Sequence, residues 1–104
     1  KKHEHVTFEQ VEIQCITLDK WYMDNIPNQI IDFIWCDVNG AERKLIEGGI
    51  DTLNNHTKYI RLECCEEQLW EDQIFEKEIL NYLSNFSLVK RYGNDILLKN
   101  KIVK

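Results

Sequence analysis

The first third of the chain changes from alternating to continuous apolar sequence, and this change predicts three elements. Apolar and polar residues alternate with a period of two over residues 11–18, which predicts a half-buried strand. Residues 19–25 are predicted to form a short helix or turn that ends near Pro27. The nearly continuous apolar run over residues 30–36 is typical of a strand that is covered on both faces in a parallel sheet.

The middle of the chain carries helical periodicity on either side of a further strand. Residues 41–53 place apolar side chains at helical spacing, with Gly48–Gly49 interrupting or ending that helix. Residues 59–64 predict the strand that follows. The clearest periodic signal comes next, an amphipathic stripe at spacings of three, four and seven residues. Its members are Phe75, Ile79, Tyr82, Leu83 and Phe86.

The end of the chain predicts a β-hairpin. Strands over residues 88–92 and 96–99 flank a turn at Gly93 and Asn94. The resulting order of elements predicts an α/β fold with right-handed crossovers, in a mostly parallel sheet with an antiparallel hairpin at its C-terminal end. Two such crossover units form half of a doubly wound, Rossmann-like domain, in which ligands bind beyond the carboxyl ends of the parallel strands.

Composition restricts the function classes without choosing among them. The 104 residues are 43% apolar and 11% aromatic, as expected for one ordinary globular domain. The net charge of −5 argues against nucleic-acid binding, and no apolar stretch is long enough to span a membrane. The chain begins at Lys1 rather than Met, which suggests a partial domain cut from a longer protein, with residues 1–10 as a flexible N-terminus.

The cysteines and histidines offer little metal chemistry. The four cysteines form no Cys-x-x-Cys pair, so we expect buried, reduced thiols, which suit a cytoplasmic protein. A disulfide or metal role is the alternative for these cysteines. His3 and His5 provide a weak metal-binding spacing near the N-terminus. No other metal site is predicted. The cysteines are Cys15, Cys36, Cys64 and Cys65.

Acidic residues end both predicted parallel strands. Asp37 follows the apolar strand directly, where a carboxylate can attract a cation or accept a proton from a hydroxyl group. Glu63 ends the next strand, so the topology predicts that both acids lie within reach of one ligand. Asn39 and Glu42 have the spacing of a capping box, which gives Glu42 a structural interpretation. Asp95, in the hairpin turn, is interpreted as structural too.

Residues 31–42 and 45–49 together resemble the signature of the FkbM-type methyltransferases. In that family an apolar strand runs into Asp-Val-Glu/Gln/Asn-Gly-Ala-Glu, and a helix that ends near a glycine follows. Supporting segments occur in the same order at residues 17–19, 59–63 and 94–98. The resemblance implies a class I fold with a seven-stranded sheet, of which this chain supplies the fourth to seventh strands plus one extra leading strand.

The resemblance also implies an activity and assigns roles to three residues. The family transfers a methyl group from S-adenosylmethionine to a hydroxyl group, here expected on a sugar or small natural product. By this resemblance Asp37 lies near the transferred methyl group, with a catalytic and a cofactor-binding role, and Glu63 serves catalysis on the acceptor side. Asn39 is a cofactor-binding candidate, although it replaces the acid usual at that position, and the role of a carboxylate there is lost.

The glycine-rich Asp-x-Gly-Ala-Asn loop of that family has no counterpart in the printed sequence. We therefore expect the C-terminal half of a methyltransferase, inactive when isolated, that self-associates or pairs with the missing N-terminal half. The alternative is a non-catalytic, truncated α/β module that associates with another chain. The apolar run at residues 30–36 supports either form of association, because an unpaired strand edge is a template for pairing.

Overall fold

The computed structural model describes residues 14–38, 40–69 and 71–104. Helices and strands alternate through the first two thirds of this part of the chain, and two strands end it. Residues 1–13, with the predicted flexible terminus and the histidine pair, lie outside the described residues. The elements are α1 (Leu18–Asn25), β1 (Ile31–Cys36), α2 (Glu42–Glu47), α3 (Ile50–His56), β2 (Thr57–Glu63), α4 (Glu76–Tyr82), β3 (Phe86–Tyr92) and β4 (Asp95–Asn100).

The predicted leading strand is wrong for the residues of it that are described. Residues 14–17 have no regular structure, and α1 begins at Leu18. The hydroxyl of Thr17 accepts a hydrogen bond from the Lys20 backbone N–H at 3.1 Å, so this residue caps a helix instead of continuing a strand. The alternating pattern therefore ends at Thr17, the N-cap residue of α1. The short helix predicted over residues 19–25 is confirmed as α1.

The predicted helix over residues 41–53 is divided into α2 and α3 at its two glycines. Gly49 is buried, and a Cβ atom there would lie 2.8 Å from the Leu18 side chain, so α1 approaches the backbone closely at this point. The Asp19 carboxylate accepts hydrogen bonds from the backbone N–H and the hydroxyl of Thr52, at 2.8 and 2.6 Å. Asp19 therefore caps the first turn of α3 from a different helix.

The amphipathic stripe faces the core, with Phe75 and Tyr82 partly buried, but the helix that carries it is shorter than predicted. α4 ends at Tyr82, and Phe86 already begins β3. Ile79 and Leu83 are fully buried, and Phe86 is 3% exposed. The stripe continues into the core because the chain turns back at residues 83–85, which keeps the last apolar residue facing inward.

The four strands form one mixed sheet in the order β1-β2-β4-β3. β1 and β2 are parallel, and β4 lies antiparallel to both of its neighbours. The α/β class and the C-terminal hairpin are confirmed, but the mostly parallel sheet is not, since one pairing is parallel and two are antiparallel. The reason is that the hairpin places its second strand, β4, beside β2.

The described helices pack against one face of the sheet, and the opposite face carries exposed aromatic residues. Cys36, Ile60 and Leu98 contribute to the core from three different strands. Phe33 and Trp35, on the opposite face, are 49% and 62% exposed. The prediction that the strand at residues 30–36 is covered on both faces is therefore wrong for the described part of the chain, in which helices cover one side.

Candidate active site

Asp37 and Glu63 lie at the same end of neighbouring strands, as the topology predicted. Cys36, the last residue of β1, is paired with Leu62, so the two acids come next on their strands at the same level. Asp37 is exposed to solvent, and Glu63 is partly buried. This carboxyl edge of the parallel strand pair is where ligands bind in open α/β sheets.

Glu42 shapes the loop that follows β1. Its carboxylate is 4% exposed and accepts hydrogen bonds from the backbone N–H groups of Gly40, at 3.0 Å, and Val38, at 3.3 Å. Glu42 therefore has the structural role that its sequence position indicated, with different donors, and Ala41 occupies the N-cap position of α2. Asn39, the predicted partner and cofactor-binding candidate, lies outside the described residues.

Four carboxylates interact at this edge of the sheet. The pKa of Glu63 is raised chiefly by burial and then by the negative charges of Glu42, Asp37 and Asp95. Asp95 is the first residue of β4 and lies directly opposite Glu63 in the antiparallel pairing. Because its pKa is raised, Glu63 holds a proton more readily than an ordinary glutamate does, and its ionised form is a stronger base.

Arg61 provides the positive charge beside this cluster. Its Nε atom lies 2.9 Å from Oδ2 of Asp95, and its guanidinium lies 5.0 Å from the Trp35 ring centre and 4.7 Å from that of Tyr92. The two rings hold the guanidinium in place through cation–π contacts. Sequence reasoning interpreted Asp95 as structural but missed its pairing with Arg61, because that pairing depends on which strand lies beside β2.

The cysteines near the site are poor nucleophiles. Burial, followed by the charges of Glu42 and Asp37, raises the pKa of the Cys36 thiol to about 12. Burial also raises the pKa values of Cys64 and Cys65. These three cysteines are buried and free, as predicted, whereas Cys15 is free but exposed. No cluster of three or more metal-ligating side chains occurs among the described residues.

A cleft of about 500 Å³ lies just beyond Glu63. It is bounded by the loop that follows β2 and by the β3–β4 turn, and a hydrogen bond of 2.7 Å from the Cys64 N–H to the Asn94 carbonyl joins these two boundaries. Its volume falls within the usual range for sites that bind small molecules. The described residues that line it are Cys64, Cys65, Glu66, Glu67, Leu69, Arg91, Gly93 and Asn94.

The side chain of Gln73 fixes the loop that forms one wall of this cleft. It is 8% exposed, donates to the carbonyls of Cys65 and Glu67 at 3.1 and 2.9 Å, and accepts from the Leu69 N–H at 2.7 Å. Arg43 of α2 in turn donates to the Gln73 carbonyl at 3.1 Å. No periodic or motif signal marks Gln73, so sequence reasoning missed it.

The fold and the acids at its strand ends define an α/β domain with a candidate small-molecule site. Residues 1–96 match the Methyltransferase FkbM domain, and the chain belongs to this family. It is 34% identical over 104 residues to the 2-O-methyltransferase NoeI of Sinorhizobium fredii (strain NBRC 101917 / NGR234). The alignment covers 95% of this chain and 42% of that relative. No solved structure matches the chain, and none of its described helices is long and apolar enough to cross a membrane.

Proposed function

We propose that this chain forms the acceptor side of an O-methyltransferase that uses S-adenosylmethionine. The observation that carries the proposal is the position of Asp37 and Glu63, level with each other on neighbouring strands, with the residues that follow Glu63, Cys64 and Cys65, lining the cleft. The family assignment and the name of the curated relative support methyl transfer to a hydroxyl group. The acceptor is a sugar or a small natural product.

The cluster of carboxylates fits the positively charged end of the cofactor. When bound, S-adenosylmethionine supplies a methyl group on a sulfonium, whose positive charge is favoured by nearby acids. In this proposal Asp37 lies toward the sulfonium and Asn39 contributes to cofactor binding. Glu63 accepts the proton of the acceptor hydroxyl, and its raised pKa makes it a stronger base than an ordinary carboxylate.

The remainder of the cofactor requires residues outside the printed sequence. The chain spans 42% of the length of the curated relative, and it contains no counterpart of the glycine-rich loop of the family. The parallel β1–β2 pair and the antiparallel β4–β3 hairpin support our proposal that this is the C-terminal half of a class I, Rossmann-like sheet. The three buried free thiols are consistent with a cytoplasmic protein, which we also propose.

The direct test is methyl transfer from radiolabelled S-adenosylmethionine by the protein that carries this chain. We expect label in hydroxylated acceptors and its loss in the Glu63→Gln variant, with Glu71→Gln as a control. Glu71 is exposed and does not line the cleft. Transfer that survives intact in the Glu63→Gln variant would remove Glu63 from the mechanism, and label in no hydroxylated acceptor would contradict the proposed reaction.

A second candidate function is that of a non-catalytic module which associates with another chain. It is favoured by Phe33 and Trp35, which are exposed on the face opposite the helices. β1 is also an edge strand of the described sheet. We propose that this surface pairs with an N-terminal half or with a second copy of the chain. Sedimentation of a monomer at tens of micromolar would contradict self-association.

A further inference from the structure

We propose that the cleft between residues 64–69 and the β3–β4 turn selects its acceptor by charge, taking a neutral or cationic carbohydrate, such as an amino sugar, and rejecting an anionic one. This inference rests on the proposed function, because it names the substrate class of the same site. It begins from the position of the cleft. Cys64 and Cys65 line it and directly follow Glu63, so a ligand in the cleft lies beside the proposed base.

The walls of the cleft carry excess negative charge. Glu66 and Glu67 both line it and are exposed, so their negative charges lie at the cleft wall in contact with solvent. The described lining includes one cationic side chain, Arg91, and that guanidinium forms an ion pair with Glu76 of α4. A carboxylate or phosphate on the ligand would therefore meet like charges, and an ammonium group would meet opposite ones.

Behind the cleft the acidic groups outnumber the cationic ones. The cations are Arg91, which opposes the rise that burial causes in the pKa of Cys64, and Arg61, which is paired with Asp95. The pKa of Cys65 is raised by burial and then by the charges of Glu63, Glu67, Asp95 and Glu42, and the cleft is open to this thiol. The negative potential therefore extends from the exposed loop to the strand ends. In a cleft with low-dielectric walls such a potential is concentrated, which strengthens discrimination between ligands of opposite charge.

The lining also suits a carbohydrate in its hydrogen bonding. The carboxylates of Glu66 and Glu67 accept hydrogen bonds from hydroxyl groups, and the Asn94 side-chain amide both donates and accepts. Leu69 adds an apolar surface for the C–H face of a sugar ring. Because Gln73 holds the backbone of this loop at three points, the two glutamates are presented on a fixed support rather than on a free loop.

The experiment compares three probes that differ in charge but share one ring. The protein that carries this chain is isotope-labelled and titrated with methyl glycosides of glucosamine, glucose and glucuronic acid, and amide shifts are followed by NMR at constant ionic strength. We expect shifts at residues 64–69 and 93–94, with the amino sugar bound about tenfold more tightly than the uronic acid. Equal or tighter binding of the uronic acid would overturn the inference, as would shifts confined to other surfaces or no binding of any glycoside.

Charge-removing variants show whether these two glutamates cause the preference. In Glu66→Gln/Glu67→Gln the ratio between the amino sugar and the uronic acid should fall at least threefold, since the like charges are gone. The matched control, Glu47→Gln/Glu71→Gln, removes two charges from exposed positions outside the cleft and should keep the ratio. An unchanged ratio in the first variant, or an equal fall in the control, would overturn the proposal.

The binding measurement also separates this inference from the proposed function, since it requires no methyl transfer. Charge-selective binding in the cleft, together with no transfer to any hydroxyl by the protein that carries the chain, would support the cleft assignment and contradict the methyltransferase proposal. Methyl transfer that proceeds equally well on neutral and anionic acceptors would support the proposed function and overturn the charge selection.

Discussion

The polar residues at the two ends of the sheet lie in opposite environments, one with complementary hydrogen-bond partners and the other with like charges. At the amino end of β2, Asn100 is 1% exposed, and its amide donates to the carbonyls of Asn54 and Thr57 at 2.7 and 2.9 Å. Its oxygen accepts from the backbone N–H groups of Ile102 and Val103. At the carboxyl end, by contrast, the pKa of the partly buried Glu63 is raised by burial first and then by three other acids.

The comparison shows that burial of a polar group has no fixed effect on stability. Asn100 meets donors and acceptors that complement it, so its hydrogen bonds join α3, β2 and the C-terminal segment. The charged form of Glu63 meets like charges, so deprotonation of this group costs stability. The amino end is therefore arranged to hold the fold together, and the carboxyl end carries an electrostatic cost that the proposed chemistry uses.

The largest expected effect is a loss of stability when the Asn100 side chain is removed at the amino end of β2. Asn100→Ala removes hydrogen bonds to three backbone carbonyls and two backbone N–H groups, and we expect a loss of about 3 kcal/mol or more in the free energy of unfolding. Urea unfolding measures it. Asn55→Ala is the control, since Asn55 is exposed and its amide bonds to Asp51 within α3. A loss below about 1 kcal/mol would remove the contrast between the two ends.

The second largest effect is expected from Glu63→Gln, which should lower activity but raise stability. Glu63→Gln should lower turnover of the protein that carries this chain about 100-fold, because the proposed base is lost. The same change should raise the melting temperature at pH 7. Because the pKa of Glu63 is higher in the folded state, its favourable contribution is complete below the unfolded value, near 4.3, and is lost as the pH rises through the folded value.

The stability gain of Glu63→Gln should therefore shrink as the pH falls toward 4, where most of the wild-type carboxyl is protonated in both states. Melting curves at pH 4 and pH 7 give this difference directly. A variant that is less stable than wild type at pH 7 would mean that the charged form of Glu63 has favourable partners, and the comparison between the two ends would fail.

A smaller effect on activity is expected from Asp37→Asn, at the carboxyl end of the sheet. Its side chain is exposed, so Asp37→Asn should leave the melting temperature nearly unchanged. If it faces the transfer site as proposed, turnover should fall at least tenfold, which corresponds to about 1.4 kcal/mol in the activation free energy. Loss of stability with unchanged turnover per folded molecule would give Asp37 a structural role instead.

The sequence predicted the parts of this fold that depend on local pattern. The apolar run at residues 30–36, the strand-forming residues 59–64, the helical stripe and the turn residues located β1, β2, α4 and the hairpin, since these signals arise from side chains close together in the chain. Asp37 and Glu63 were also predictable, because each directly follows or ends a recognisable strand. The capping interpretation of Glu42 was right in kind, although the observed donors are other backbone groups.

The remainder depends on contacts between distant segments. Arg61 and Asp95 are 34 positions apart, and their ion pair exists because β4 lies beside β2. The apolar residues around Trp35 in the sequence predict a buried ring. The described helices cover the opposite face of the sheet, however, and Trp35 is exposed. Gln73 acts on a loop that has no repeat or motif of its own. Local periodicity contains none of this information, because each case is decided by tertiary packing.

The smallest expected effect tests whether a carboxylate stabilises this fold when, unlike Glu63, it has complementary partners. Asp19 accepts hydrogen bonds from the N–H and the hydroxyl of Thr52, at the N-terminus of α3. Asp19→Ala should therefore lower the free energy of unfolding by about 1 kcal/mol, measured by urea unfolding at pH 7. Asp24→Ala is the control, because Asp24 forms an exposed ion pair with Lys20 that contributes a few tenths of a kcal/mol.

Equal losses in the two variants would mean that the cap adds nothing beyond a surface charge. A larger loss for Asp19→Ala would show that a carboxylate stabilises this fold where donors surround it, whereas burial and neighbouring acids disfavour the charged form of Glu63.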